Sequence, residues 1–419
     1  QLLHKGIQAF ARMEHAGIRI DVPYLDRTLV EIRDRIHAIE TKLRKDPIYD
    51  KWRRAFGDNT KLDSRPQLGH VIFNLMKYEP KAWTETGRPS TDEAAFADMD
   101  VPFIKDYFTA AKLKKSAGTF LKGIKRETVN GFLHSNFHLH NVVSFRSASS
   151  QINFQNFPAR NPEMAALIRR CFIPRKGRQL VETDFAGIEV RISATYHKDP
   201  TMINYIKDPS TDMHRDQAYE LFCVTPEEYA PHKDYFKKTI RDSSKNQFVF
   251  PQFYGSVYFQ CAPNIWEAME RRSFKLGPDG ISIRKHLRGK GIKTLGKCDP
   301  KEKPVKGTFE YHVKQVEDKL WNERFAVYTQ WKCDWWQQYQ EEGGFRLHTG
   351  FYIHGSFKRN DVLNYPIQGA AFHCLLWVLI QLQNWLRNNK MKTVIVGQIH
   401  DSIISDVEPS ELKDYLAKV

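Results

Sequence analysis

Apolar residues recur at helical spacing along much of the chain. Leu25, Leu29, Ile32, Ile36 and Ile39 mark a helix from Tyr24 to about Leu43. Residues 11–21 read as a helix closed by Gly17 and followed by a short extended piece. Asp63-Ser64 before Arg65-Pro66 supplies a cap and an early proline, and Ser90-Thr-Asp-Glu93 reads as a capping-box start. Residues 112–126 form a basic stretch broken at Gly118, either a solvated helix tip or a phosphate clamp. Asn130-Gly131 predicts a tight turn, after which 132–145 alternates as one strand with His134, His138 and His140 on one face. Leu180-Val181 leads a strand that should end at Asp184, and a helix should run from Ile188 to Asp199-Pro200. Further helices are expected over 203–240, over 309–342 with Tyr311, Val316, Leu320, Phe325, Trp331 and Trp335, and from Asn364, mostly buried over 370–386. Residues 270–308 turn rich in Lys and Gly and read as a loop-rich basic insertion. No internal repeat is visible.

With 419 residues, 41% of them apolar, the chain can build two to four compact units. The net charge of +15 favours a polyanionic partner, with nucleic acid ahead of an anionic membrane surface. Aromatic residues at 13% add stacking platforms. The six cysteines are scattered without a Cys-x-x-Cys pair, so they read as reduced thiols rather than a disulfide framework or a zinc site. An intracellular address follows. No run of 18 apolar residues appears, so no membrane partner is expected. Gln1 is not an initiator, so a longer natural chain is expected.

The chemistry concentrates in two stretches. A carboxylate where a buried strand ends is costly unless it is paired or holds a cation. Asp184 occupies such a place, and Asp401 occupies a second one within 394–405. Two strand-borne aspartates in a basic chain fit two-metal chemistry on a polyanion. Arg241 and Lys245 stand four apart, on one helix face, as a joint cation or as plain surface charge. The amide-rich loop 146–158 suits base-edge contacts or an ordinary capped loop. The histidine trio lacks a carboxylate or cysteine companion and reads as solvated or nucleic-acid-facing more than as a metal site.

With these stretches in hand, the chain resembles the polymerase region of family A DNA polymerases, the DNA polymerase I group and its phage relatives, without an exonuclease domain. Four blocks carry the likeness: Asp184-Phe-Ala-Gly-Ile-Glu-Val-Arg, Arg241-x3-Lys245 with Tyr254-Gly255, Asn364-Tyr-Pro-Ile-Gln368-Gly-Ala-Ala, and Gln398-Ile-His-Asp401. Weaker echoes include Met13-Glu-x-x-Gly17, Gly87-Arg-Pro-Ser-Thr91, Lys114-Lys-Ser, Asn153-Phe-Gln-Asn156 and Asp212-Met-His214. So many blocks in order are hard to obtain by chance. The resemblance implies a mixed α+β fold of right-hand architecture, with an antiparallel-sheet palm, a helical thumb and helical fingers. An N-terminal palm or linker segment would be 1–21, thumb 22–128, palm 129–205 plus 355–419, and fingers 206–354.

It further implies a template-directed DNA polymerase that joins dNTPs to the primer 3′ end of a primer-template DNA. Asp184 and Asp401, with the Phe185 carbonyl, would hold two Mg2+ ions, with Mn2+ as a substitute. Arg241, Lys245 and His214 would grip the triphosphate, Lys245 also protonating the leaving pyrophosphate. Phe250, Tyr254 and Gln368 would complete the dNTP site, and Glu189 would be the gate against a ribose 2′-oxygen. Arg146, Asn153, Gln155, Gln368 and His400 would contact DNA near the primer end, largely in the minor groove, and Asn156, Lys114 and Lys115 would bind DNA as well. A monomer is expected, with a separate or upstream exonuclease or helicase as partner, in the cytoplasm of a bacterium or phage-infected host or in an organelle. Beside the family the last palm strands look short, so a continuation past Val419 is expected.

Three departures stand out. Ser402 occupies a place where the family usually has a second acid. The spacing from Lys245 to Tyr254 is one residue longer than the family's and contains Pro251, which removes a helix hydrogen bond. On a regular helix Phe250 would point away from Arg241; a one-residue bulge at about 246–250 would return it to that face and keep Phe248 off it. The 270–308 insertion has no assigned counterpart, and extra duplex or template grip stands beside a disordered loop. A single-subunit RNA polymerase-like enzyme and a catalytically inactive nucleic-acid-binding palm protein are the alternatives.

Overall fold

The structure is a computed structural model of the chain, describing residues 1–419 except 81–82, 85, 97–98, 100 and 159–160. Packing divides it into two compact units: Gln1–Val142, Ser147–Asp184 and Leu375–Val419 form one, Val143–Arg146 and Phe185–Cys374 the other.

In the first unit, the helix Leu2–Ala16 buries Gly6, Ala9, Phe10 and Met13 and stops at Gly17, whose φ of 62° suits glycine. The strand Ile18–Ile20 joins an antiparallel sheet between Phe132–Leu133 and Phe172–Ile173, with Thr128–Val129 at its edge. Asn130 and Gly131 both take positive φ, 51° and 79°, as a two-residue hairpin turn of this hand requires. Asp21 caps the helix Val22–Arg44 by accepting from the Tyr24 N–H at 2.9 Å. The helices that follow close over Trp52, Leu68, Ile72, Phe103, Tyr107 and Phe108. Trp52 is fully buried, and its indole N–H is satisfied by Gln67 at 2.9 Å.

Several expectations change here. Ser64 does cap Arg65–Gly69, but Ser90-Thr-Asp-Glu93 opens only a single 3-10 turn, Glu93–Phe96, with the Ser90 hydroxyl spent on the Asp92 N–H. Gly118 does not break its helix; it lies in a π-helical turn, Ser116–Leu121, between Pro102–Lys115 and Lys122–Glu127. The single strand expected over 132–145 is two, Phe132–Leu133 and Asn136–His138, which belong to different sheets. The chain changes direction so that Phe137 can pack on Phe10 and Phe154. His134 therefore bonds the Glu14 carbonyl, while His138 meets Ser150 and packs edge-on against His140 with ring centroids 5.7 Å apart, so His134 leaves the face that the other two keep.

The third sheet of this unit has the order Val394–Ile399, Ser402–Val407, Gln179–Asp184, antiparallel throughout. Asp406, 1% exposed, is held within it by the Arg175 backbone N–H at 3.1 Å and its guanidinium at 2.7 Å. The same guanidinium donates to the Ala16 carbonyl at 2.6 Å, tying this sheet to the end of the first helix.

The second unit is mainly helical, around a core that includes Phe222, Phe236, Phe248, Phe274, Phe309 and Phe325. Buried Asp199 caps Pro200–Lys207 with one oxygen and accepts from the Tyr328 N–H with the other, at 3.0 Å. The helix expected over 309–342 is interrupted: Phe309–Lys319 runs into a π turn, Leu320–Arg324, and restarts at Ala326 once Phe325 has turned into the core. The basic insertion is built rather than loose, with a helix at Ile283–Gly289 whose Ile283 and Leu287 are buried, as is Ile292 beyond it. Arg359–Asn388 is one helix carrying Pro366, of which the residues up to Cys374 belong to this unit and those from Leu375 on to the first. One 18-residue window of it has mean hydropathy 1.3, and 61% of that window is buried, as in a core helix.

Removing one member of a buried ion pair leaves the other uncompensated, at a cost of about 3–5 kcal/mol. Asp406→Ala should therefore lower unfolding free energy in denaturant by about that amount, and the paired Arg175→Met, Asp406→Leu variant should recover much of the loss.

Candidate active site

Asp184 ends its strand, and its register partner on the neighbouring strand is Ser402, the residue after Asp401. The two strands Val394–Ile399 and Ser402–Val407 are joined by His400 and Asp401 alone, with Ile399 paired to Ser402. Asp401 thus sits in a two-residue turn rather than on a strand, and His400 takes a φ of 53° to make that turn. Residues facing each other in such a ladder lie about 4.5–5.5 Å apart at Cα, so the two aspartates share one end of the sheet. Asp184 is exposed, not buried as expected, because its strand lies at the sheet edge. Among the described residues no three His, Cys, Asp or Glu side chains converge as a preformed metal cage. Two carboxylates suit Mg2+, which is usually held by one or two such groups plus phosphate and water oxygens.

Glu182 had not been singled out. It lies on the same face as Asp184, two residues earlier, and its carboxylate accepts from the Ser402 hydroxyl at 2.8 Å. The i, i+2 spacing of two acids on one strand was its signal in the sequence. The turn itself is fixed from below: Gln398, fully buried, donates to the His400 carbonyl and accepts from Ser147 at 2.7 Å. Gln155 donates to the same Ser147 hydroxyl at 2.8 Å.

Part of the expected DNA contact set is thereby committed to structure. The Asn153 side chain caps Phe154–Asn156, accepting from the Gln155 N–H at 3.0 Å, and receives the Ser149 hydroxyl. Gln155 is spent on the turn's support. His400, Asn156 and Lys115 remain exposed, whereas Lys114 pairs with Glu40 at 2.5 Å.

The second unit gathers the expected nucleotide-binding residues. Ile240–Ser243, a π-helical turn at Ser244–Val249 and Phe250–Phe253 form one run, so the extra residue is absorbed as a bulge at the expected place. Phe248 is fully buried while Phe250 is 39% exposed. Lys245 Nζ lies 5.2 Å from the Phe250 ring centroid, and the His214 ring meets Phe250 edge-on at 5.6 Å. Arg241 is oriented by Asp212, Nε to Oδ2 at 2.6 Å. Burial works to raise the Asp212 pKa, but the Arg241 guanidinium and the Arg215 N–H outweigh it and hold this carboxyl below its usual range. His214 is pushed down to about 4, by burial first and then by Arg241. It is therefore neutral near pH 7 and can act there as a hydrogen-bonding group without adding charge. Its buried Nδ1 has no hydrogen-bond partner among the described residues.

Glu189 follows Gly187, whose φ of 62° starts the helix Ile188–His197. Its carboxylate takes the Arg146 guanidinium on one oxygen and the Tyr254 hydroxyl on the other. Shielding of that hydroxyl and the bond to Glu189 raise the Tyr254 pKa. Expected singly, these three residues form one cluster. Gln368 is half-buried on its helix, and the next residue must be glycine because a Cβ at Gly369 would lie 2.5 Å from the Ser144 carbonyl oxygen.

Known proteins resemble this chain both in structure and in sequence. In structure, the chain is similar to the POL domain of Pol1 from M. smegmatis, solved in complex with DNA primer-template and dNTP. The TM-score is 0.73 at 20% identity, over 99% of this chain and 65% of that one. The fold is thus that of a polymerase domain, mixed helix and antiparallel sheet. The sequence model of DNA polymerase family A matches residues 29–268, and the chain belongs to that family. It is 25% identical to DNA polymerase I of Pseudomonas aeruginosa over 96% of its own length and 39% of the relative's. Against the DNA polymerase of Bacillus phage SP01 the figures are 24%, 99% and 46%. The chain therefore spans less than half the length of these relatives.

His197 and His373 in the same unit are also pushed down to about 4, chiefly by burial. Each histidine is more acidic folded than unfolded, near 6.5. Their stabilising contribution is whole above pH 6.5 and is lost as pH falls toward 4. The unfolding midpoint should drop across that window, and less steeply in His373→Gln. Histidine NMR should find the His214 ring neutral at pH 6.

Proposed function

We propose that this chain is the polymerase region of a DNA-directed DNA polymerase, adding dNTPs to a primer 3′ end by two-metal nucleotidyl transfer. The observation that carries the reading is the register of Asp184 against Ser402, which brings Asp184 and Asp401 to one end of the sheet. Two divalent ions bound there would lower the pKa of the primer hydroxyl and offset charge on the departing pyrophosphate. Asp184 and Asp401 would hold them, with the Phe185 carbonyl, which follows Asp184 directly, as a further oxygen donor.

The chain's own residues account for the remaining work. Arg241, set in direction by Asp212, and Lys245 bind triphosphate oxygens by charge-assisted hydrogen bonds. His214, neutral, offers a hydrogen bond without adding charge. Lys245 holds the proton that the leaving pyrophosphate takes up. Phe250 packs against the nucleotide beside Lys245. Glu189, held by Arg146 and Tyr254, crowds the position of a ribose 2′-oxygen and selects dNTP. In this reading 1–21 is an N-terminal palm or linker segment, 22–128 the thumb, 129–205 with 355–419 the palm, and 206–354 the fingers. The natural substrate is primer-template DNA.

Primer extension with Mg2+ tests it. Wild type should extend with dNTPs and hardly with NTPs, and Asp184→Ala or Asp401→Asn should cut extension by at least about 100-fold, as loss of several kcal/mol of charge stabilisation implies. Unchanged extension in either variant would overturn the site. Glu189→Ala should relax dNTP-over-NTP discrimination by about tenfold or more.

A further inference from the structure

The segment 284–306 holds nine Lys and Arg against two acids, a net of +7 where the whole chain carries +15. Eight of the nine are exposed: Lys285, Arg288, Lys290, Lys293, Lys297, Lys301, Lys303 and Lys306. Both acids are already occupied, Glu302 by Lys297 at 2.7 Å and Asp299 by the Lys301 N–H at 2.8 Å. Among the described residues, Lys285, Arg288, Lys290, Lys293 and Lys306 form no ion pair.

These cations stand on fixed backbone. Ile283, Leu287 and Ile292 are buried, and the Ile292 N–H bonds the Leu287 carbonyl at 2.9 Å. The Lys293 N–H donates to the Gly307 carbonyl at 2.9 Å, and a Cβ on Gly307 would lie 3.5 Å from the Gly291 carbonyl oxygen. The strap 290–293 therefore runs beside 306–307, which places Lys290, Lys293 and Lys306 together. Like charges held together repel unless a polyanion neutralises them.

Composition narrows the partner. The segment contains no Phe, Tyr or Trp on which unpaired bases could stack, and no Asn or Gln to read base edges. Single-strand binders rely on such aromatic platforms, whereas sequence-independent duplex contact needs only cations on phosphates. We propose that 284–306 is a second nucleic-acid surface, which grips the phosphate backbone of duplex DNA through Lys290, Lys293 and Lys306. This goes beyond the polymerase reading and is measured without metal ion or dNTP, so it can fail while primer extension stands, and the reverse.

The test compares the full chain with a variant carrying Lys290→Gln, Lys293→Gln and Lys306→Gln, and with a charge-matched control carrying Lys5→Gln, Lys392→Gln and Lys413→Gln. Fluorescence anisotropy is read on a blunt duplex, on oligo(dT) and on anionic lipid vesicles, across a salt series. The first variant should keep its unfolding midpoint and bind duplex at least tenfold more weakly. Its plot of log affinity against log salt should be shallower by about 2.7, three contacts at about 0.9 each. The control should bind duplex as wild type does. Unchanged duplex affinity and slope, an equal loss in the control, or a loss confined to oligo(dT) or vesicles would each overturn the proposal.

Discussion

The candidate chemistry depends on one antiparallel register. Gln179–Asp184 pairs with Ser402–Val407 over six positions, and only that alignment sets Asp184 against the residue after Asp401. A slip of one residue would send Asp184 to the opposite face of the sheet. The register is held at both ends. Near Asp406, the Arg175 guanidinium and backbone fix one end of the strand. At the other, the buried Gln398 amide holds the His400 carbonyl, so the turn cannot lengthen or roll. A bulge between Ile395 and Gly397 absorbs the mismatch on the outer strand before it reaches the turn.

Phase along a helix does comparable work in the second unit. A regular helix would place Phe248, not Phe250, on the face of Arg241 and Lys245. The π turn at Ser244–Val249 adds one residue before Phe250 and reverses that outcome. Pro251 lies just after it, where the wider turn has already forfeited a regular hydrogen bond, so the proline costs less than it would mid-helix. The result is Phe248 in the core and Phe250 beside Lys245 and His214. Burial then changes the chemistry of the group: with Arg241 close by, His214 stays uncharged, and Arg241 and Lys245 supply the positive charge.

Legibility followed the range of the forces concerned. Caps and turns set by neighbouring residues were visible, as at Ser64 and Asn130-Gly131, because their partners lie within three residues. Gly118 and the 132–145 stretch were misread where long-range packing overrode a local pattern. A glycine that would interrupt an isolated helix is carried by buried Ala117, Phe120 and Leu121 around it. A strand-like alternation was divided because Phe137 found aromatic partners at Phe10 and Phe154. The insertion looked loose because its Lys and Gly content hides three buried anchors, Ile283, Leu287 and Ile292.

What the sequence by itself determined was chemical: which carboxylates, cations and aromatic rings are present, in what order, and the one-residue excess that demanded a bulge. Those follow from composition and from helix and strand periods, which act over a few residues. Only the tertiary structure decided which side chains remained available. Gln155 was drawn into support of the 398–401 turn, His214 was held neutral by burial, and the Glu182 carboxylate took the Ser402 hydroxyl from the neighbouring strand. Those outcomes depend on desolvation and on partners as many as 243 positions away, and no local pattern records them.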